Sequence, residues 1–160
     1  GIILGNNFHH DLVRPGISLY GGHFNTKMKQ IIKPVICLKG KILQIKEISK
    51  NEFVGYNQTY KTNKKLTVAI LGIGYADGIS RLLSNKGNAY FKNKTFKIIG
   101  RVSMDSITVD ISKNDKLIKV GDYMEIINHS NGIDKIANQC NTICDEILTS
   151  ISKRVKRVYL

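Results

Sequence analysis

Across residues 35–127 the chain is cut into short apolar runs rich in Ile, Val, Tyr and Phe, each closed by polar or turn-forming residues. Runs of this length and make-up form strands, because β-branched and aromatic side chains pack well on a pleated surface. Residues 35–48 alternate, with Val35, Cys37, Ile42, Ile45 and Ile48 separated largely by Lys and other polar residues. Alternation of that kind predicts strands with one buried and one exposed face. The segments 56–60, 66–71, 89–91, 96–102, 107–109 and 123–127 continue the series. Turns fall at Asn63-Lys64, Asn85-Lys86-Gly87, Asn93-Lys94 and across 119–122. A mainly β fold follows, an antiparallel barrel or sandwich.

Helices come late. Ile133, Ile136 and Ala137, then Ile143, Ile147 and Ile151, lie at helical spacing. Thr142 before Glu146 resembles an N-cap, with the Glu one residue late for a strict capping box. The tail, 155–160, alternates again and reads as a returning strand. At the other end, residues 1–4 read as a short buried strand and 5–13 as a loop. Composition shifts after Gly21-Gly22, which places a boundary near residue 27 and divides the chain into 1–26 and 27–160. A start at Gly1, without Met and inside an apolar run, suits a piece of a longer chain.

At 160 residues with 42% hydrophobic content, the chain can build one real core. Its 25 Lys and Arg against 12 Asp and Glu give a net charge of +13, which brings nucleic acid into consideration. The densest cluster, Lys153, Arg154, Lys156 and Arg157, has no interleaved aromatics on which bases would stack, so a solvated basic face is expected and no nucleic-acid partner. Cys37, Cys140 and Cys144 lack Cys-x-x-Cys spacing and a histidine at ligand distance; they read as small buried residues in a reducing compartment, with no metal. No apolar run reaches the roughly 20 residues of a membrane span, and no leader is evident, so a cytoplasmic location is expected.

Three clusters can carry chemistry. In Arg14-Pro15-Gly16-Ile17, a glycine frees the backbone for close approach beside a permanently charged, planar donor; such a group can hold a phosphate, or it is simply a turn. In Gly72-Ile73-Gly74-Tyr75-Ala76-Asp77-Gly78, a tyrosine stands between glycines at a strand exit. An exposed phenol there can act as acid or base when cations stand near it, or it packs on the sheet. The glycine spacing is not that of a dinucleotide site. In Gly100-Arg101-Val102-Ser103-Met104-Asp105, Arg101 and Asp105 can present a charge pair, and the backbone an N–H, to a small anion; an ordinary surface ion pair is the plainer alternative.

In this order and spacing the three clusters resemble the alanine racemases, enzymes dependent on pyridoxal phosphate. The resemblance runs from His9 to Gly21, through Gly72 to Gly78 with Arg81 and Leu83-Ser84-Asn85, and through Gly100 to Asp105. It continues at Gly121-Asp122 and at Thr142-Ile143, Glu146 to Thr149, Arg154-Val155 and Arg157. It implies that Arg14 contacts the cofactor's pyridine nitrogen and that Gly16 and Ile17 give backbone donors to its phosphate. Tyr75 is then the base on one face of the substrate, and Met104 offers its backbone N–H to the substrate carboxylate. Arg101 and Asp105 match supporting positions. The resemblance further implies a homodimer whose Tyr75 and Met104 serve the partner's site, and a cytoplasmic role in supplying D-alanine for peptidoglycan. Residues 1–26 would end a cofactor-binding (β/α)8 barrel, and 27–160 would form the β domain.

The match has gaps. The family's cofactor lysine lies in a motif of the kind Val-Lys-Ala-x-Ala-Tyr-Gly-His-Gly, and nothing here resembles it; Lys39-Gly40-Lys41 has neither its sequence nor its position. Lys153 stands where some members carry a tyrosine, and Asp145 where many carry an aromatic residue. The chain alone is therefore expected to be inactive. A racemase of serine or another small amino acid, and a free-standing β domain that binds or dimerises, are the alternatives.

Overall fold

A computed structural model of the chain describes residues 4–23 and 31–160. The described residues form eight strands: β1 (Leu38–Ile48), β2 (Phe53–Val54), β3 (Tyr60–Lys61), β4 (Leu66–Leu71), β5 (Asn88–Phe91), β6 (Lys94–Ile99), β7 (Ile107–Asp110) and β8 (Tyr123–Ile127). Six of them close an antiparallel barrel in the order β1-β4-β7-β6-β5-β8, and β2 pairs with β3 alone. The expected mainly β fold is present, and it is a barrel. Two helices, α1 (Ile133–Gln139) and α2 (Cys144–Thr149), follow it.

Closure rests on β1, which is long enough to serve two neighbours. Its first half pairs with β8, from Leu38 against Ile127 to Lys41 against Tyr123. Its second half pairs with β4, from Ile42 against Leu71 to Ile48 against Leu66. A register shift between Ile42 and Gln44 marks a bulge there. One extra residue reverses the facing of everything beyond it. Ile42 and Ile45 can therefore both join the main core, although they are three apart. Gly40 is buried where a β-carbon would meet Ile73 Cγ2 at 2.5 Å, so the missing side chain makes room for Ile73 in the barrel's narrow interior.

Ile48 faces elsewhere. With Val54, Leu66, Val68 and Ile99 it forms a second apolar cluster, against which Tyr60 packs. The single buried face expected for residues 35–48 is thus divided between two cores, because the bulge turns Ile48 away from Ile42. Strand β4 is covered on both sides, with Ala69 and Leu71 in the main core and Leu66 and Val68 in the second.

Several local expectations change. Residues 56–60 are not a strand: Tyr56–Gln58 is a 3-10 turn, with left-handed φ at Gly55, Asn57 and Gln58, and pairing begins only at Tyr60. Strand β6 stops at Ile99, because Gly100 has φ +74 and a β-carbon there would strike Val54. Helix α2 is capped at Ile143, not Thr142, although the Thr142 hydroxyl does reach the Glu146 carboxylate. The tail does not return as a strand. The Arg157 guanidinium donates to the carbonyls of Ile151, Ser152 and Val155, which curls the chain on itself. Cys140 ends α1 and Cys144 begins α2, so they do not share one helical face. Cys140 is buried as expected, while Cys37 is exposed. The expected first strand falls largely on residues 1–3, and the boundary near 27 on residues 24–30, both outside the described residues. Leu4 is exposed.

Candidate active site

The Tyr75 segment and the Met104 segment meet because of strand register. Leu71 ends β4 opposite Ile107, which begins β7, so the loop leaving one strand and the loop entering the other emerge at the same end of the barrel. Tyr75–Asp77 forms a 3-10 turn. Tyr75 N–H donates to the Ser103 carbonyl and Ala76 N–H to the Met104 carbonyl, each at 2.9 Å. Only glycine fits before Tyr75, because any β-carbon at position 74 would collide with the backbone of Ser103 and Met104.

Asp77 is the buried charge in this arrangement, at 7% exposure. Its Oδ2 accepts from Gly74 N–H at 2.8 Å, and its Oδ1 lies 2.8 Å from Arg154 Nε. The same guanidinium reaches Asp105 Oδ1 at 2.5 Å through its NH2 group. The hydrogen bond that Arg154 donates to Asp105 first, and then the Asp77 charge, raise the Arg154 pKa above its usual value. A carboxylate pair bridged by a planar fork is geometry that Lys cannot reproduce.

What this scaffold presents outward is polar and open. Tyr75 is 42% and Met104 52% exposed. Among the described residues, the Met104 N–H has no intramolecular acceptor. The Arg81 guanidinium carbon lies 6.0 Å from the Tyr75 ring centroid, at the edge of cation–π reach. A cleft of about 410 Å³ opens beside Tyr75, lined in part by Ser80, Asn141, Thr142, Glu146 and Ser150.

Arg101 is placed differently from expectation. It lines a separate cleft of about 340 Å³ with Arg81, Asn85 and Thr59, and the partner of Asp105 is Arg154. The expected Arg101–Asp105 pair does not form. No composition or spacing signal links Arg154 to Asp77, since they are far apart in sequence; its place in a basic run suggested only a solvated cation. Two of that run's four cations are committed, Arg154 to carboxylates and Arg157 to backbone carbonyls.

The Arg14 segment stands apart. Among the described residues, no hydrogen bond or ion pair joins residues 14–17 to the Tyr75 loop. Arg14 and Gly16 are exposed, and a β-carbon at Gly16 would meet open space. Ile17–Tyr20 is a 3-10 turn whose first internal bond is Leu19 N–H to the Gly16 carbonyl at 3.0 Å, which leaves the N–H groups of Ile17 and Ser18 before it. An arginine beside N–H donors that have no partner among the described residues suits a small anion such as a phosphate. The segment is anchored to the barrel and its helices by the buried Ile17 side chain in the main core, and by His23. His23 N–H donates to Asp134 Oδ1 at 2.9 Å, and its Nδ1 lies 3.0 Å from Oδ2.

Comparison with known families bears on all three segments. The alanine racemase C-terminal domain family matches residues 35–159. The chain belongs to that family. An alanine racemase of Brucella canis is 41% identical over 174 aligned positions, covering 100% of this chain but 44% of its relative. One from Rickettsia akari is 38% identical, again over 100% of the chain and 44% of the relative. The chain thus spans less than half the length of these alanine racemases. Among solved structures, the Bartonella henselae alanine racemase with covalently bound pyridoxal phosphate superposes with a TM-score of 0.89 at 42% identity, over all of this chain and 45% of that one. The Clostridium difficile alanine racemase in complex with cycloserine gives 0.84 at 36% identity, over 94% and 40%. The described barrel is therefore an alanine racemase C-terminal domain. Among the described residues, no helix is long and apolar enough to cross a membrane.

Proposed function

We propose that this chain is the C-terminal part of a pyridoxal-phosphate alanine racemase and supplies one of its two bases, Tyr75. The observation that carries this reading is the lacing of the Tyr75 turn to the Ser103–Met104 loop, which sets an exposed phenol and an open backbone N–H at the same end of one barrel.

When bound, pyridoxal phosphate supplies an electron sink that makes the α-proton of an attached amino acid acidic. The Tyr75 hydroxyl takes or returns that proton on one face. Met104 N–H donates to the substrate carboxylate and fixes its orientation. Arg14 would hold the cofactor at its pyridine nitrogen, with a guanidinium that does not readily give up its proton and so would leave that nitrogen unprotonated. Gly16 and Ile17 N–H groups donate to the phosphate. Arg101 and Asp105 support the approach to the site. Inversion needs a base on the opposite face, and that role belongs to the lysine whose motif this chain does not contain.

On this reading residues 1–26 end the cofactor-binding (β/α)8 barrel and 27–160 form the β domain. The working enzyme is a cytoplasmic homodimer in which Tyr75 and Met104 face the partner's cofactor, and its product is D-alanine for peptidoglycan. Chiral analysis of L-alanine incubated with pyridoxal phosphate tests it. The 160-residue chain should leave the substrate unchanged, and the complete protein carrying it should bring it to a racemic mixture. Robust racemisation by the chain alone would sink the proposal.

A further inference from the structure

We propose that Arg154 is a positioning residue for the reaction: by bridging Asp77 and Asp105 it fixes the Tyr75 hydroxyl relative to the Met104 N–H. The inference rests on the racemase reading above and assigns a role to a side chain that touches neither substrate nor cofactor.

The geometry supplies the reason. Asp77 sits under the Tyr75 turn, with one carboxylate oxygen on Gly74 N–H at 2.8 Å and the other 2.8 Å from Arg154 Nε. Asp105 directly follows Met104 and takes the NH2 group of the same guanidinium at 2.5 Å. One rigid, planar group therefore ties the turn that presents the base to the loop that presents the carboxylate donor. Two backbone bonds join those loops, Tyr75 N–H to the Ser103 carbonyl and Ala76 N–H to the Met104 carbonyl. The Arg154 fork adds a side-chain tie between the same two loops, through Asp77 in one and Asp105 in the other. The Asp77 arm compensates a buried carboxylate, but stability does not account for the second arm. Asp105 is 60% and Arg154 50% exposed in their side chains, and exposed ion pairs contribute little to folding. The chain around Arg154 is itself held, through Ser152 N–H on the Asp77 carbonyl at 3.4 Å and Arg157 on three carbonyls of the tail. The basic run at 153–157 is on this view a brace, and its charge serves the two loops.

The test uses the complete protein carrying this chain, loaded with pyridoxal phosphate, as wild type and as Arg154→Met, Arg154→Lys and Asp105→Asn. Arg154→Met should lower kcat by up to about a hundredfold, the loss that a misplaced catalytic group produces. Arg154→Lys, a single point of charge, should recover only part of that loss. Asp105→Asn frees the Met104 side alone and should act mainly on KM for alanine. Amide hydrogen exchange gives a readout independent of activity: in Arg154→Met the N–H groups of Tyr75 and Ala76 should lose protection, while those of β4 and β7 keep theirs. Uniform loss of protection across the barrel would mean a general structural role and overturn the proposal. So would Tyr75 and Ala76 protection, kcat and KM that all match wild type. A wild-type protein that does not racemise alanine overturns instead the reading on which the proposal rests.

Discussion

Gly74 lies so close beneath Met104 that a β-carbon on it would stand 2.5 Å from the Met104 carbonyl carbon. The obstacle is backbone, which cannot swing aside as a flexible side chain would. Gly74→Ala should therefore force the Tyr75 turn off the Met104 loop and cost about 1–3 kcal/mol by overpacking. Urea unfolding measures the cost. A variant as stable as wild type would mean that the two loops separate freely.

Tyr75 is exposed and contributes little to the core, so Tyr75→Phe should leave thermal unfolding nearly unchanged. On the proposed function the same change, made in the complete protein, removes the proton carrier on one face. Alanine interconversion should fall by about 10²–10⁴-fold, the usual worth of a positioned acid–base group. Retained activity in a folded variant would remove Tyr75 from the mechanism.

Glu125 and Lys39 face each other across β1 and β8, with Nζ 3.3 Å from Oε1. Burial works to raise the Glu125 pKa, but hydrogen bonds from Asn128 and Lys39, the Lys39 charge and the Cys37 thiol outweigh it and hold it below the ordinary 4.5. A lowered carboxylate pKa means the fold prefers the ionised form. Its contribution is full above pH ~4.5 and is lost as pH falls through the lowered value. Wild type should lose its stability advantage over Glu125→Gln in that acid window; an advantage unchanged below pH 4 would contradict the pairing.

Burial, the hydrogen bond to Asp134 at 3.3 Å and the charges of Asp134 and Asp145 push the Cys144 thiol up to about 12. Thiolate is the reactive form, so Cys144 should resist iodoacetamide at pH 8 in the folded chain and react once urea is added. Rapid labelling without denaturant would show that the thiol has left Asp134.

With Arg154 and Arg157 committed to the protein's own oxygens, the 153–157 cluster offers few cations to an outside phosphate. Binding to duplex DNA should be weak, with a shallow dependence on salt. A steep slope in a salt titration would revive a nucleic-acid role for the +13 charge.

Periodicity determined much of this protein without further help. The runs at 66–71, 107–109 and 123–127 are strands because short runs of β-branched residues between turn signals favour extended backbone, and the motifs around Arg14, Tyr75 and Met104 named the family because each is contiguous in sequence. What failed locally did so for visible reasons. Left-handed backbone at Asn57 and Gln58 breaks a run that looked extended, and the bulge near Leu43 splits one apolar series between two cores. Neither leaves a mark in composition, because each depends on how one strand meets its neighbour.

Only the tertiary structure decided which charges face one another. Arg101 and Asp105 are close in the chain yet unpaired, whereas Arg154 meets Asp77 and Asp105 across the barrel's end. Ion pairing follows distance in space, and that distance is set by β4–β7 register and by the path of the tail. The sequence thus determined which motifs the chain carries, around Arg14, Tyr75 and Met104, to which the proposed function gives the roles of phosphate cradle, base and carboxylate donor. The closed barrel alone determines that the Tyr75 and Met104 segments meet at one end, tied by an arginine that in the sequence belonged to an ordinary basic run.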